Sequence, residues 1–286
     1  MSGADRLVLG TVQLGRPYGV ANRSGVPSAD EAVAILRAAE RAGVGAIDCA
    51  PSYGDAELLV GRAGLSTPVF TKVSRHDDVA TSVQASLERL RRSRIDILFL
   101  HDPEVVEDDP DNIVGRAHSL IGGPVVALGA SVYTQSQFDA CIDDDRITAV
   151  QVPMSAADPR LVRSGSLARA AAAGKAVYAR SVFLQGALLL DDGTLPEHLR
   201  SVAGVATAAD GVAKARRVPR SEILAVFVRD VPGVTGLVLG CETMAQLESN
   251  LTAVGAPPLD DAERAAIEGA PMPAGRALDP RRWPGG

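Results

Sequence analysis

The stretch GVGAIDCAPSYGDAE, residues 43–57, is a short apolar run that stops on an acid, Asp48, and opens into a loop carrying Tyr53. The pattern recurs: PVFTK (68–72) stops on Lys72 and IDILFLH (95–101) stops on His101. Working outward, short β-rich apolar runs lie at 7–14, 45–48, 69–73, 95–101, 125–131, 148–152, 176–181 and 235–240. They alternate with longer Ala/Leu/Arg stretches of helical period. Helices are predicted at 29–42, 80–92, 135–142, 166–173, 221–231 and 244–253, the first opened by Ser28 with Glu31 three positions on, a capping-box pattern. Eight strands alternating with helices predict one α/β domain over residues 1–286, a (β/α)8 TIM barrel, with the functional groups at the C-terminal ends of the strands. An irregular excursion is expected at 191–220, and a Pro-rich tail at 256–286 is expected to wrap the barrel or fringe its mouth. The rival open sheet lacks its signature, since LGTVQLGRPYG (9–19) does not match GxGxxG.

Composition narrows the function classes. An apolar share of 46% with 22% charged residues is that of a soluble globular chain. A net charge of −6 offers no basic footprint, so binding to nucleic acid or an anionic membrane is not expected. Cys49, Cys141 and Cys241 form neither a CxxC pair nor an even framework, which favours a reducing compartment. The opening MSGADRLVLG lacks a signal-peptide core, and no apolar run approaches a membrane span, so a cytoplasmic location is expected. No HxH, HExxH or Cys/His cluster has metal-ligand spacing, and no metal is expected.

The strand-end quartet carries chemistry. A phenol has a reference pKa of about 10, so a Tyr that donates a proton near neutrality needs a neighbour that stabilises its phenolate. An ammonium in reach does so, and a His adds a second donor to the same oxygen. Lys72 and His101 fit these two positions, and Asp48 is placed to hold the ammonium charged and aimed. Each residue alone has an ordinary explanation: a cap for Asp48, a snorkelling lysine at 72, a rim aromatic at 53, a turn residue at 101 before Asp102-Pro103. Four polar groups meeting at the strand ends are much harder to explain that way.

At this point the chain resembles the aldo-keto reductases. The likeness rests on GAIDCAPSYGDAE (45–57), FTKV (70–73), LFLHDP (98–103), LGASVYT (128–134), VQVPMS (150–155), RSVFLQG (180–186) and GVTGLVLGCETMAQLESN (233–250), in order along nearly the whole chain. The resemblance implies an NAD(P)(H)-dependent oxidoreductase that interconverts a carbonyl (aldehyde or ketone) and an alcohol. It implies Tyr53 as general acid for reduction and base for oxidation, Lys72 lowering its pKa, Asp48 paired with Lys72, and His101 orienting the substrate oxygen.

For the cofactor, the resemblance implies Thr11 after the first strand, Asp48, and Ser131 and Gln151 on the nicotinamide carboxamide. Arg180, Ser181, Val182, Leu184 and Gly186 match the loop over the pyrophosphate, with Arg180 where many members stack an aromatic on the nicotinamide. Gly240, Glu242, Gln246 and Asn250 match the adenosine end. Many members carry a cation at the position of Glu242; a carboxylate there repels a 2′-phosphate and suits a free 2′-hydroxyl. NADP(H) is placed slightly ahead of NAD(H), because other basic side chains, Arg180 among them, can reach in.

Substrate contacts are expected from Tyr18, Tyr53 and His101, within loops 16–20 and 102–109 and around Phe183. Arg16, Tyr18, Asp102 and Glu104 point to a polar, sugar-like carbonyl compound, whereas Glu107-Asp108-Asp109 reads as a solvated loop. A monomer is compatible with the short loops and acidic charge. The alternatives are an aldolase-type barrel with a Schiff base on Lys72, a nicotinamide-binding regulatory subunit with little turnover, and a redox-neutral epimerase that oxidises and re-reduces one substrate on bound cofactor.

Overall fold

The structure, a computed structural model, describes residues 3–284; Met1, Ser2, Gly285 and Gly286 of the expected domain and tail lie outside the described residues. Eight parallel strands close into a barrel in sequence order: β1 (Leu7–Gly10), β2 (Ala46–Asp48), β3 (Val69–Val73), β4 (Ile95–Leu100), β5 (Val125–Ser131), β6 (Ala149–Pro153), β7 (Ala176–Arg180) and β8 (Gly236–Gly240). The ring is sealed by β1, which pairs Val8 with Ala46 on one side and with Val238 on the other. This is the (β/α)8 fold expected from the sequence.

Side chains two residues apart on a strand share a face. An inner layer of Val8, Ala46, Phe70, Phe99 and Ala149, with Tyr178 and Val238 against it, fills the barrel. Two residues further along the same strands come Gly10, Asp48, Lys72, His101, Gln151, Arg180 and Gly240. The polar groups therefore stand directly on an apolar floor. Phe70, Phe99 and Tyr178 meet edge to face there, with centroids 5.2–6.4 Å apart. The large second core lies between the outer strand faces and the helices.

Helix Ala29–Arg41 begins with the expected capping box of Ser28 and Glu31, and Gln135–Asp143 carries a second, Thr134 with Gln137. The helices at Val79–Leu90, Ser166–Ala172, Arg220–Arg229 and Met244–Gly255 lie within two residues of their predicted bounds. Three short ones were not predicted, Ala56–Ala63, Ile113–His118 and Arg160–Ser164. In the first, Glu57 is buried and accepts from Thr71 and Arg89, so its inner face does not read as apolar.

Two expectations are corrected. The first strand ends at Gly10, and Val12–Gly15 is a helical turn rather than its continuation. The stretch 191–220 is not an irregular excursion: it holds the 14-residue helix Ala203–Arg216, whose Val205, Ala206, Ala209, Val212 and Ala213 bury one stripe. Alanine's high helix propensity outweighs the glycines that suggested a loop. The tail 256–286 also carries a helix that was not predicted, Asp261–Glu268, opened by a capping box of Asp260 and Glu263.

Beyond that helix the tail does reach the barrel mouth. Trp283 is buried edge to face with His198, and Arg281 lies over the ring of Tyr133, 3.7 Å from its centroid. All three cysteines are free and buried. Burial pushes each thiol up to about 12. Among the described residues no helix is long and apolar enough to cross a membrane.

Gly129 on β5 leaves the space that Phe99 fills, since a Cβ there would stand 2.5 Å from the Phe99 ring and 2.8 Å from the Ala149 carbonyl oxygen. Gly129→Ala is therefore expected to destabilise the barrel by about 1–3 kcal/mol through overpacking, read from equilibrium denaturation. Unchanged stability would mean that the floor is not packed as described.

Candidate active site

Asp48 at the end of β2 and Lys72 on β3 form a buried ion pair: Lys72 Nζ donates to Asp48 Oδ1 at 2.7 Å and Oδ2 at 2.8 Å, and to the Cys49 carbonyl at 2.8 Å. Three donors meet three acceptors, so the ammonium is fixed in direction as well as position. Gln151 Nε2 reaches across from β6 and donates to Asp48 Oδ1 at 2.5 Å. Thr11, fully buried, donates through both its backbone N–H and its hydroxyl to the Asp48 carbonyl. Burial acts to lower the Lys72 pKa, but Asp48 and Tyr53 outweigh it and the net shift is upward.

Tyr53 stands over this pair, with Lys72 Nζ 5.0 Å from its ring centroid. His101 meets it edge to face at 6.3 Å between centroids. The quartet expected from the sequence is thus assembled in one place. Burial raises the Tyr53 pKa; Lys72 pulls it down as expected, and Arg180 with it, but burial outweighs both and the net shift is upward. Tyr53 is held as a neutral phenol. Burial, then Lys72, push His101 down to about 4, so its imidazole is neutral at pH 7.

Two glycines set the position of Tyr53. A Cβ on Gly15 would fall 1.9 Å from the Tyr53 carbonyl oxygen, and one on Gly54, at φ +58°, 2.2 Å from the Gly15 carbonyl oxygen. The loops after β1 and β2 therefore touch backbone to backbone. Sequence reading missed both glycines, although each follows a strand end by a few residues.

Ser131 is buried and in register beside Gln151. Gln151 Oε1 is buried with no donor, and so is Gln13 Oε1, which stands where a Cβ on Gly240 would lie. After β7 the chain turns tightly, with Ser181, Leu184 and Gln185 at φ between 50° and 57°. The turn is pinned to the β1 loop by Val20 N–H donating to the Gln185 carbonyl at 3.0 Å. Val182 and Leu184 are buried, so this segment presents backbone, Ser181 and Gly186 rather than those two side chains.

Arg180 does not lean toward Glu242. Its Nη2 donates to the Val132 carbonyl at 3.0 Å, and its guanidinium lies 4.2 Å from the Tyr133 ring centroid, on the β5 side. Glu242, Gln246 and Asn250 gather after β8 as a separate group: Glu242 N–H donates to Gln246 Oε1 at 2.6 Å, and buried Asn250 donates to the Gly240 carbonyl at 3.1 Å. Tyr18 lies near Arg180, Tyr53 and Tyr133; burial raises its pKa to about 12, partly opposed by Arg180. Asp102 is committed to the Arg75 backbone N–H at 2.7 Å.

Two outcomes follow from this geometry. Gly15→Ala should shift Tyr53 and lower turnover by about tenfold or more, since small displacements at a reacting centre are costly, while the circular dichroism spectrum stays that of the wild type. His101 binds a proton near pH 6.5 when unfolded but only near 4 when folded. Between those values the unfolded state holds more protons, so stability should fall as the pH is lowered from about 6.5 to about 4, by up to about 3 kcal/mol. His101→Gln should flatten that slope in urea titrations at pH 4–7.

The family model described as "Aldo/keto reductase family" matches residues 6–270. Among curated proteins, D-arabinose 1-dehydrogenase of Saccharomyces cerevisiae is 33% identical over 125 residues, which are 37% of this chain and 36% of that protein. An aldo-keto reductase from Bacillus halodurans in its holo form superimposes with a TM-score of 0.75 at 20% identity, covering 96% of this chain and 95% of that one. The glycerol dehydrogenase of Gluconobacter oxydans gives 0.73 at 22% identity over 92% and 90%. A Klebsiella pneumoniae aldo/keto reductase in complex with NADP and acetate gives 0.72 at 23% identity over the same shares. With its barrel, its strand-end quartet and a family match over nearly its whole length, the chain belongs to the aldo/keto reductase family.

Proposed function

We propose that this enzyme interconverts a polar, hydroxylated aldehyde or ketone and its alcohol, with Tyr53 as the general acid and base. The observation that carries the reading is the Lys72 ammonium, fixed by Asp48 and held beneath the Tyr53 ring. In reduction the Tyr53 hydroxyl gives its proton to the carbonyl oxygen. The phenolate left behind is stabilised by the adjacent ammonium, which Asp48 keeps charged. His101, neutral, donates an N–H to the same oxygen and fixes its direction. In oxidation the phenolate takes the proton back. Burial, which keeps Tyr53 protonated at rest, also strengthens the effect of Lys72 on the phenolate once it forms.

A bound nicotinamide dinucleotide supplies hydride in one direction and accepts it in the other. The residues suit such a group: buried Gln151 Oε1 lacks a donor, as a carboxamide N–H would provide, and Ser131 lies beside it. Buried Gln13 Oε1, packed against Gly240, likewise lacks a donor. NADP(H) draws support from the Klebsiella pneumoniae relative in complex with NADP. Glu242 works against a 2′-phosphate, and Arg180, tied toward β5, does not offset it. The hydroxylated substrate class is carried over from the arabinose and glycerol dehydrogenases.

The Schiff-base reading of Lys72 lacks support, since that chemistry needs a neutral amine and this one is held by two carboxylate oxygens with its pKa raised. A cytoplasmic enzyme remains our expectation, and the short loops and acidic charge are compatible with a monomer.

Tyr53→Phe should lower kcat by about 10²–10⁴-fold while the fluorescence titration with NADPH or NADH stays close to wild type. Near-normal turnover would sink the assignment. Glu242→Lys should move the NADPH:NADH affinity ratio toward NADPH by on the order of tenfold, or ~1.4 kcal/mol. No movement would show that residue 242 does not face the ribose.

A further inference from the structure

Charges at the barrel mouth do not cancel. Asp48 answers Lys72, and Asp279 answers Arg281 at 2.9 Å through both carboxylate oxygens. Arg180 has no carboxylate partner among the described residues; its Nη2 is spent on a neutral carbonyl and its Nε is buried with no acceptor. Its field is felt across the site, where it acts to lower the pKa of Tyr53, His101 and Tyr18.

The guanidinium is also held still. Tyr133 is clamped between two of them, Arg180 at 4.2 Å from its centroid and Arg281 of the C-terminal tail at 3.7 Å. Stacking of this kind fixes the plane of a guanidinium while leaving its edge free to donate. An uncompensated, oriented cation whose Nη1 donates to no described residue and, unlike Nε, is not buried, within electrostatic reach of the proton donor, is a receptor for an anionic oxygen.

We propose that Arg180, positioned by the Tyr133–Arg281 stack, recognises a carboxylate or phosphate on the substrate, so that the preferred hydroxylated carbonyl compounds are acids. The inference rests on Tyr53 being the reacting group, as proposed above. The same chemistry is present in the cofactor's phosphates, and the experiment separates the two sources.

Wild type, Arg180→Met, Arg180→Lys and Tyr133→Leu are compared with succinic semialdehyde and butanal, which share a four-carbon chain and differ in the carboxylate. The ratio of the two kcat/KM values is read, so that losses common to both substrates cancel. Calorimetry measures succinate and NADH binding separately. Wild type should prefer the anionic aldehyde, and Arg180→Met should lower the ratio by about tenfold or more and abolish succinate binding. Arg180→Lys, which keeps the charge but not the fork, should retain part of the preference. Tyr133→Leu should lower the ratio through KM rather than kcat, a split that a general loss of structure would not produce.

A ratio unchanged in a folded Arg180→Met protein overturns the proposal. Weakened NADH binding with the ratio unchanged also overturns it, by assigning the cation to the cofactor's phosphates. Reduction of butanal without any preference for succinic semialdehyde overturns the inference while leaving the Tyr53 reading standing. Should wild type reduce neither aldehyde, the Tyr53 reading is what fails; Arg180-dependent succinate binding would still support the anion receptor, and its absence would overturn it.

Discussion

Two opposite charges taken out of water together are stable only where close geometry and further hydrogen bonds offset their lost hydration. Asp48 and Lys72 meet that condition with side chains 4% and 2% exposed, and much of the upper barrel is arranged around them. Gln151 and the Cys49 carbonyl complete their shells, and Thr11 ties the backbone of Asp48 to the β1 turn. Removing either charge alone would strand the other at a cost of about 3–5 kcal/mol. The pair is therefore a structural obligation as much as a source of reactivity.

Its placement follows from strand periodicity. Phe70, Phe99, Ala46 and Ala149 close the barrel interior one step below Lys72, His101, Asp48 and Gln151. The aromatic floor keeps water from approaching the pair from beneath, so the charges see low-dielectric surroundings on that side and the loops above. In such surroundings a phenol and an imidazole both stay neutral at rest, which is the state found for Tyr53 and His101. A fixed ammonium then acts most strongly at the moment a negative charge forms beside it.

The barrel and the quartet were legible because both rest on local rules: apolar runs of strand length, and polar residues at or just past the ends of three of them, Asp48 with Tyr53 in the loop behind it, Lys72 and His101. Ser28 with Glu31 announced its helix in the same way. What was not legible depends on distant parts of the chain. Helix Ala203–Arg216 read as loop because glycines interrupt its alanines and its burial comes from tertiary contacts. The backbone contact of Gly15 with Tyr53 joins two loops 38 residues apart in sequence, and no residue pattern encodes it. Tyr133 and Arg281 meet only because the tail returns to the mouth. The phenol's upward shift was missed because sequence shows the neighbouring cation but not the depth of burial.

The three free thiols, sealed in the core and pushed up to about 12, have a practical corollary. Alkylating reagents attack the thiolate, and the native barrel offers almost none. Labelling can proceed only when the chain opens, so its rate counts opening events and not surface chemistry. Cys49 reports on the strand end beside the ion pair, Cys141 on the helix after β5, and Cys241 on the turn after β8. The molecule thus carries three separate native gauges of which part of its barrel loosens first.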